Sequence, residues 1–338
     1  MKRSKRLSIP MLAIPMLAAV PSGTAFACAS CGCSINSDFS VQGLSTTGGW
    51  SADLRYDYLN QNQLRSGTKT ISATSAANAT NMQTNSPAEV EQYTKNNYLT
   101  ATLDYNNAKS FGVSFVLPYI DRTHSTLGTG SDGSTFDPAN GAYGSSASGL
   151  GDIKVLGRYF GFSEQRNFGI QFGLKLPTGQ KNQVSNAGNP TPVDPGLQLG
   201  TGTTDLIIGA YRFDNLSANW DYFAQASLQA ALNSSTMAAG SYKPGSSVNL
   251  NFGVRYQGFE RFIPSLQINA RHAKPDSGDA ADTYATGGTL VYLTPGIIVP
   301  ITEKFAAYGN VQLPIYQNVN GIQLAPKYIA SAGVRFAF

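Results

Sequence analysis

The chain has 338 residues, of which 13% are charged, and it carries 35 Gly, 17 Tyr and 17 Phe. Soluble domains carry roughly twice that share of charge. Its formal net charge of +4 belongs to the leader: setting aside Lys2, Arg3, Lys5 and Arg6 leaves 24 − 4 = 20 Lys+Arg against 20 Asp+Glu. The remainder is neutral, so no nucleic-acid partner is expected.

The first 27 residues read as a cleaved secretory signal. The four cations form the n-region, residues 7–20 a short apolar core, and Ala25-Phe26-Ala27 a small-residue cleavage site. That core contains Pro10 and Pro15 and is too short to span a bilayer as a helix. No later stretch reaches 18 consecutive apolar residues, which excludes transmembrane helices.

Residues 28–47 are expected to be a periplasmic or lumenal segment, and 48–338 the folded domain. The segment begins with a C-x-x-C-x-C motif, Cys28, Cys31 and Cys33, which are the three cysteines of the whole chain. Four readings stay open for them. A disulfide or redox pair suits an oxidising compartment. Three thiols with the new α-amino group offer soft ligands for Cu(I) or Zn(II). Lipid attachment at Cys28 fits poorly with Ala25 and Phe26 before it, and the fourth reading is an inert tail. No histidine follows the pair, so covalent haem attachment is excluded.

Beyond the segment, apolar and polar residues alternate. In "WSADLRYDYL", Trp50, Ala52, Leu54, Tyr56 and Tyr58 interleave with Ser51, Asp53, Arg55 and Asp57. "FGIQFGLKL", "VNLNFGVRY" and "SLQINAR" repeat the pattern from Phe168, Val248 and Ser265. A period of two predicts strands with one apolar and one polar face. Twelve such segments begin near Trp50, Tyr98, Phe111, Gly151, Phe168, Thr203, Trp220, Val248, Phe262, Thr289, Phe305 and Tyr328. Five short turns alternate with six long connections, at about 60–97, 124–149, 177–202, 233–247, 273–287 and 317–327. This is the pattern of an all-β, transmembrane up-and-down antiparallel β-barrel of about 12 strands, with short periplasmic turns and long extracellular loops.

The aromatics agree with that topology. Trp50, Tyr105, Phe111, Tyr159, Phe168, Tyr222, Tyr256, Phe305, Phe336 and Phe338 all fall at the short-turn ends of apolar faces. Such a girdle suits a membrane interface. The last segment, "YIASAGVRFAF", ends on an aromatic and resembles the terminal signature read by the barrel-assembly machinery. The competing fold, a soluble β-sandwich, gives aromatics no reason to gather at one end.

The polar faces place Asp53, Arg55, Asp57, Asp104, Arg122, Asp152, Lys154, Arg158, Lys175, Asp205, Arg255, Arg271 and Arg335 inside the barrel. Two readings follow. The charges pair across a narrow wet lumen, or they form a mildly cationic constriction favouring anionic or aromatic-acid solutes.

Three stretches carry a family resemblance: "GLGDIKVLGRYF" from Gly149, "GLKLPTG" from Gly173, and "PGLQLGTGTTDLIIGAYRF" from Pro195. They resemble segments of the MetA-pathway phenol-degradation family of outer-membrane β-barrel transporters, over about residues 40–338. The resemblance implies a passive channel for small, often aromatic or apolar, solutes. It carries over no site residues, and the cysteine motif is additional to it.

Enzymatic readings are weak, and no catalytic residues are expected. His124 and His272 lack the His-x-Ser-Asn arrangement of the barrel phospholipases, although Ser125 follows His124. Both read as solvated residues at the rim. The acidic stretches with Asp132 and Asp137, and with Asp276, Asp279 and Asp282, do not match a twelve-residue calcium loop and read as solvated loops.

The expectation is therefore an outer-membrane channel of a Gram-negative bacterium for passive uptake of small solutes. Its partners would be outer-membrane lipid and lipopolysaccharide, the barrel-assembly machinery and a small-molecule solute. The alternative is a barrel anchoring a copper- or zinc-binding or redox CxxCxC module for a periplasmic metal or electron-transfer protein. A third reading is an adhesion barrel working through its long loops.

Overall fold

The computed structural model describes residues 42, 48–83, 86–87, 90–127, 142–186 and 190–338. The leader, Cys28, Cys31, Cys33, Asp132 and Asp137 lie outside the described residues, as do the readings made on them.

The strands, in chain order, are β1 (Gly49–Gly67), β2 (Val90–Asn106), β3 (Phe111–Leu127), β4 (Ala142–Leu150), β5 (Lys154–Tyr159) and β6 (Phe168–Lys175). They continue with β7 (Asp205–Asn215), β8 (Trp220–Ala231), β9 (Ser247–Tyr256), β10 (Ile263–Ala273), β11 (Gly288–Pro300) and β12 (Phe305–Ala337). Apart from β4, which pairs only with β3, the successive strands of the ring pair antiparallel, and β12 pairs with β1, so the sheet closes on itself. β4 and β5 make one crossing in two pieces, both against β3.

β12 makes two crossings. Residues 306–319 pair with β11 and residues 322–337 pair with β1. The chain doubles back at Gly321, whose φ of +56° favours a residue without Cβ. Across the hairpin, Gln317 Nε2 donates to the Pro326 carbonyl at 3.0 Å. With β4 and β5 counted as one crossing and β12 as two, the twelve strands give twelve crossings, but the expected loop at 317–327 is continuous strand. Backbone pairing with β1 extends almost to the hairpin tip, and this overrides the weak alternation there. β2 likewise begins at Val90 rather than near Tyr98, paired with β3 from the outset. The connection before it shortens to 68–89 and holds a short helix, α1 (Ala73–Ala77), capped by Ser72 accepting from the Ser75 amide.

Apolar side chains face outward. Leu54, Phe115, Phe172, Leu228, Phe252 and Ile268 are each more than 40% exposed, around the whole ring. An apolar band of that extent suits lipid, since soluble surfaces rarely expose such patches beyond a few hundred Å². At the short-turn end the aromatics touch: Trp50 and Tyr105 centroids lie 5.0 Å apart, and Trp220 and Tyr256 5.1 Å. Phe162, Phe259 and Phe262, in the turns themselves, extend this girdle.

Candidate functional site

The barrel encloses a cavity of about 340 Å³ that runs from Ser51 and Arg335 near the short-turn end to Tyr242 and Asp276 among the long loops. Ten of the thirteen charges expected inside the barrel border it: Asp53, Arg55, Asp104, Arg122, Asp152, Lys154, Lys175, Asp205, Arg271 and Arg335. Asp57, Arg158 and Arg255 face inward but are locked beneath the surface. Asp57 bonds Arg55 at 2.9 Å and Ser331 at 2.6 Å, Arg158 bonds Asp104 at 2.6 Å, and Arg255 bonds Asp221 at 2.6 Å. Strand alternation shows only that a side chain points inward, whereas the partner on the next strand decides whether it reaches water.

Residues 195–196 and 198–201 of the connection at 176–204 border the cavity, and the three motif stretches meet where it is anchored. Lys175, at the end of β6, lies 3.2 Å from Asp152 and 3.0 Å from Asp205, and all three side chains are buried. Asp152 also accepts from the Gly179 amide at 3.0 Å and from the Thr201 amide and hydroxyl at 3.0 Å each. Asp205 accepts from Thr203 at 2.7 Å and Gln229 at 2.6 Å. Burial makes each charge expensive, and these charge-assisted bonds offset that cost. Gly179 and Gly200 let the two ends of the loop touch, since a Cβ on Gly179 would sit 2.7 Å from the Gly200 Cα.

Arg122 secures the returning limb of the loop. Its Nη1 donates to the carbonyls of Gly196 at 2.6 Å and Gln198 at 3.0 Å, and its Nε donates to Asn96 at 2.5 Å. Two cavity cations differ from it. Arg271 donates to the neutral side chain of Asn249 at 3.1 Å, and Arg335 to the Ser51 hydroxyl at 2.9 Å. Neither has an ion-pair partner among the described residues.

At the short-turn end, Gln42 of the N-terminal segment is 2% exposed, and its carbonyl accepts from Arg255 Nη2 at 2.8 Å. Asp221 holds the other side of that guanidinium, and the Phe223 ring lies 5.2 Å from it. Neither Gln42 nor Asp221 was expected from sequence. Asp221 follows Trp220 in register for an inward position, a signal that was available.

Two expectations about solvated residues are corrected. His124 is buried, with Nδ1 2.8 Å from the Thr94 hydroxyl, because β2 runs eight residues further than expected and covers it. Ser125 donates to Gln92, so it is not coupled to His124. Asp276 and Asp282 are 9% and 5% exposed. Asp276 accepts from Tyr242 Oη at 2.9 Å and the Gly245 amide at 2.8 Å, pinning two long loops together. Asp282 accepts from the amides of Tyr284 and Ala285 and from Asn81, joining a third. Burial raises the pKa of both carboxyls above the ordinary 3.8. Asp279 accepts from the Ser241 hydroxyl. His272 Nδ1 lies 2.9 Å from the Thr289 hydroxyl. Among the described residues, no group of three His, Cys, Asp or Glu side chains is placed to hold a metal ion.

No family model matches the sequence, so the MetA-pathway resemblance gains no support from that comparison, and no curated protein matches it. Among solved structures, the chain is similar to the COG4313 outer membrane channel from Pseudomonas putida F1. The TM-score is 0.61 at 13% identity, covering 90% of this chain and 100% of that one. The CymD monoaromatic hydrocarbon channel gives a TM-score of 0.46 at 9% identity, covering 87% and 91%. The NanC porin gives 0.42 at 8%, covering 85% and 100%. The first likeness shows the fold, a closed antiparallel barrel of the outer-membrane, porin-like type; the two weaker ones carry no further weight.

Proposed function

We propose that this protein is an outer-membrane channel for passive uptake of small solutes, its lumen charges tuning which solutes pass. The observation that carries the reading is the cavity inside a closed, lipid-faced barrel, bordered by paired and unpaired charges rather than filled by apolar side chains. Eight-stranded barrels fill their interiors, and twelve crossings leave room for a narrow path. The structure it resembles in fold is itself described as an outer membrane channel, which is consistent with this reading.

In this reading residues 1–27 are a cleaved export signal, 28–47 a periplasmic or lumenal segment, and 48–338 the channel. The ten cavity-bordering charges expected from sequence are its lining. Asp57, Arg158 and Arg255 hold the wall and the segment in place.

Single-channel recording in planar bilayers tests this. The full mature chain should conduct ions, and should still do so after Cys28, Cys31 and Cys33 are all changed to Ser. A correctly folded, heat-modifiable barrel that passes no current would rule the channel out. Loss of current in the serine variant alone would move the function to the cysteine segment, with elemental analysis for copper and zinc as the next step.

A further inference from the structure

We infer that the cavity selects small amphipathic anions, an apolar body bearing one carboxylate, with the carboxylate at Arg271 and the body against the opposite wall. The inference rests on the channel reading above and specifies its solute.

The two walls differ in chemistry. Val116, Pro118 and Ile120 on β3, with Leu199 from the inserted loop and Ile207 on β7, give the cavity an apolar side. Lumen-facing positions on β3 would ordinarily be polar in a water-filled barrel, since the outward face already supplies the apolar band. β10, which carries Arg271, stands six crossings from β3 whichever way the ring is counted. One route passes β5, β6, β7, β8, β9 and β10; the other passes β2, β1, the two arms of β12, β11 and β10. Arg271 therefore borders the cavity across from the apolar wall.

The carboxylates of the lining are held by other groups, and Asp276, the one whose charge acts on Arg271, makes no ion pair with it among the described residues. Asp104 is held by Arg158, Asp152 and Asp205 by Lys175, Asp53 by the Tyr308 hydroxyl, and Asp276 by Tyr242 and Gly245. Arg271 donates through Nη1 to neutral Asn249, leaving most of its donor fork for an incoming carboxylate. Arg335, similarly placed on Ser51 near the short-turn end, offers a second station on the way through. Two weak stations in series suit passage, because a solute must leave as readily as it enters. A bare inorganic anion meets the charge and leaves the apolar wall wet. A neutral apolar solute covers the wall and strips water from Arg271 without replacing it.

Recording from the full mature chain in KCl, with benzoate, acetate or benzamide added, tests this directly. Benzoate should reduce the chloride current at about one-tenth the concentration of acetate, a preference of about 1.4 kcal/mol, and benzamide should do so least. Arg271→Gln should abolish the preference for benzoate over benzamide, and Arg271→Lys should keep part of it. Ile120→Asn should abolish the preference for benzoate over acetate. Heat-modifiable migration on gels confirms that each variant is folded. If the wild type conducts but benzoate and acetate act alike, or the preference over benzamide survives Arg271→Gln, the inference fails and the channel reading stands. A folded wild type without current removes both.

Discussion

The ammonium of Lys175 lies 3.2 Å from the carboxylate of Asp152, tying the end of β6 to the residue that anchors both ends of the inserted loop. Asp205 completes the group at 3.0 Å. Three stretches far apart in sequence thus share one buried charge centre, and the loop that borders the cavity depends on it.

Changing Lys175 to Met should be among the most damaging single substitutions in the barrel. It leaves two buried carboxylates facing each other without a cation, a situation that costs about 3–5 kcal/mol when a buried pair is broken from one side. The measurement is limited proteolysis across residues 176–204 together with the temperature of heat-modified migration. New cleavage in the loop and a lower transition are expected. The triple change with Asp152→Asn and Asp205→Asn should recover part of the loss, because no uncompensated charge remains.

The bond from Arg255 to the Gln42 carbonyl predicts where the N-terminal segment is held. The paired change Arg255→Gln and Asp221→Asn removes the charge-assisted donor without stranding its partner. Losing such a bond should cost about 1.5–3 kcal/mol, roughly a 10- to 150-fold shift toward release. Protease access to residues upstream of Gly48, and a larger single-channel conductance, are the expected results. Unchanged access would show that other contacts hold the segment.

Asp276 and Asp282 give the long-loop end a pH dependence with a definite sign. Burial raises both carboxyls above 3.8, so the packed loops bind more protons than the open ones. Packing is therefore favoured most below 3.8 and weakens as pH rises through the raised values. Amide exchange in residues 274–287 should slow on acidification from pH about 7 to about 4, beyond the intrinsic chemical effect. Asp276→Asn should reduce that change, since an amide does not titrate. A slope of the opposite sign would contradict the burial of these carboxyls.

The outward face predicts the response to a misplaced charge. Phe252, mid-strand on β9 and 50% exposed, points away from the lumen. Phe252→Arg should lower the free energy of unfolding from lipid by about 2–4 kcal/mol. A reversible urea titration in vesicles measures this, and a change under ~0.5 kcal/mol would place Phe252 outside the bilayer.

Much of the barrel was legible in the sequence because its causes are local. Alternation along each strand follows from the pleat, so Leu54 outward and Arg55 inward could be read from neighbouring residues alone. The short turns and the girdle of Trp50, Tyr105, Phe111 and Tyr256 followed from the same register. So did the inward placement of Asp152, Lys175 and Asp205 taken one at a time.

What the tertiary structure decided depends on closure of the ring and on loops folding back into it. Asp57, Arg158 and Arg255 are inward yet locked, because Arg55, Asp104 and Asp221 sit beside them in the folded barrel. Arg122 holds the loop at Gly196 and Gln198, more than seventy residues away in sequence. His124 and Asp276 are buried because β2 runs further than its alternation suggested and the long loops pack on one another. The apolar wall opposite Arg271 exists only once β3 and β10 stand across the same ring. Local alternation determines which way a side chain points, whereas non-local pairing determines what it meets there.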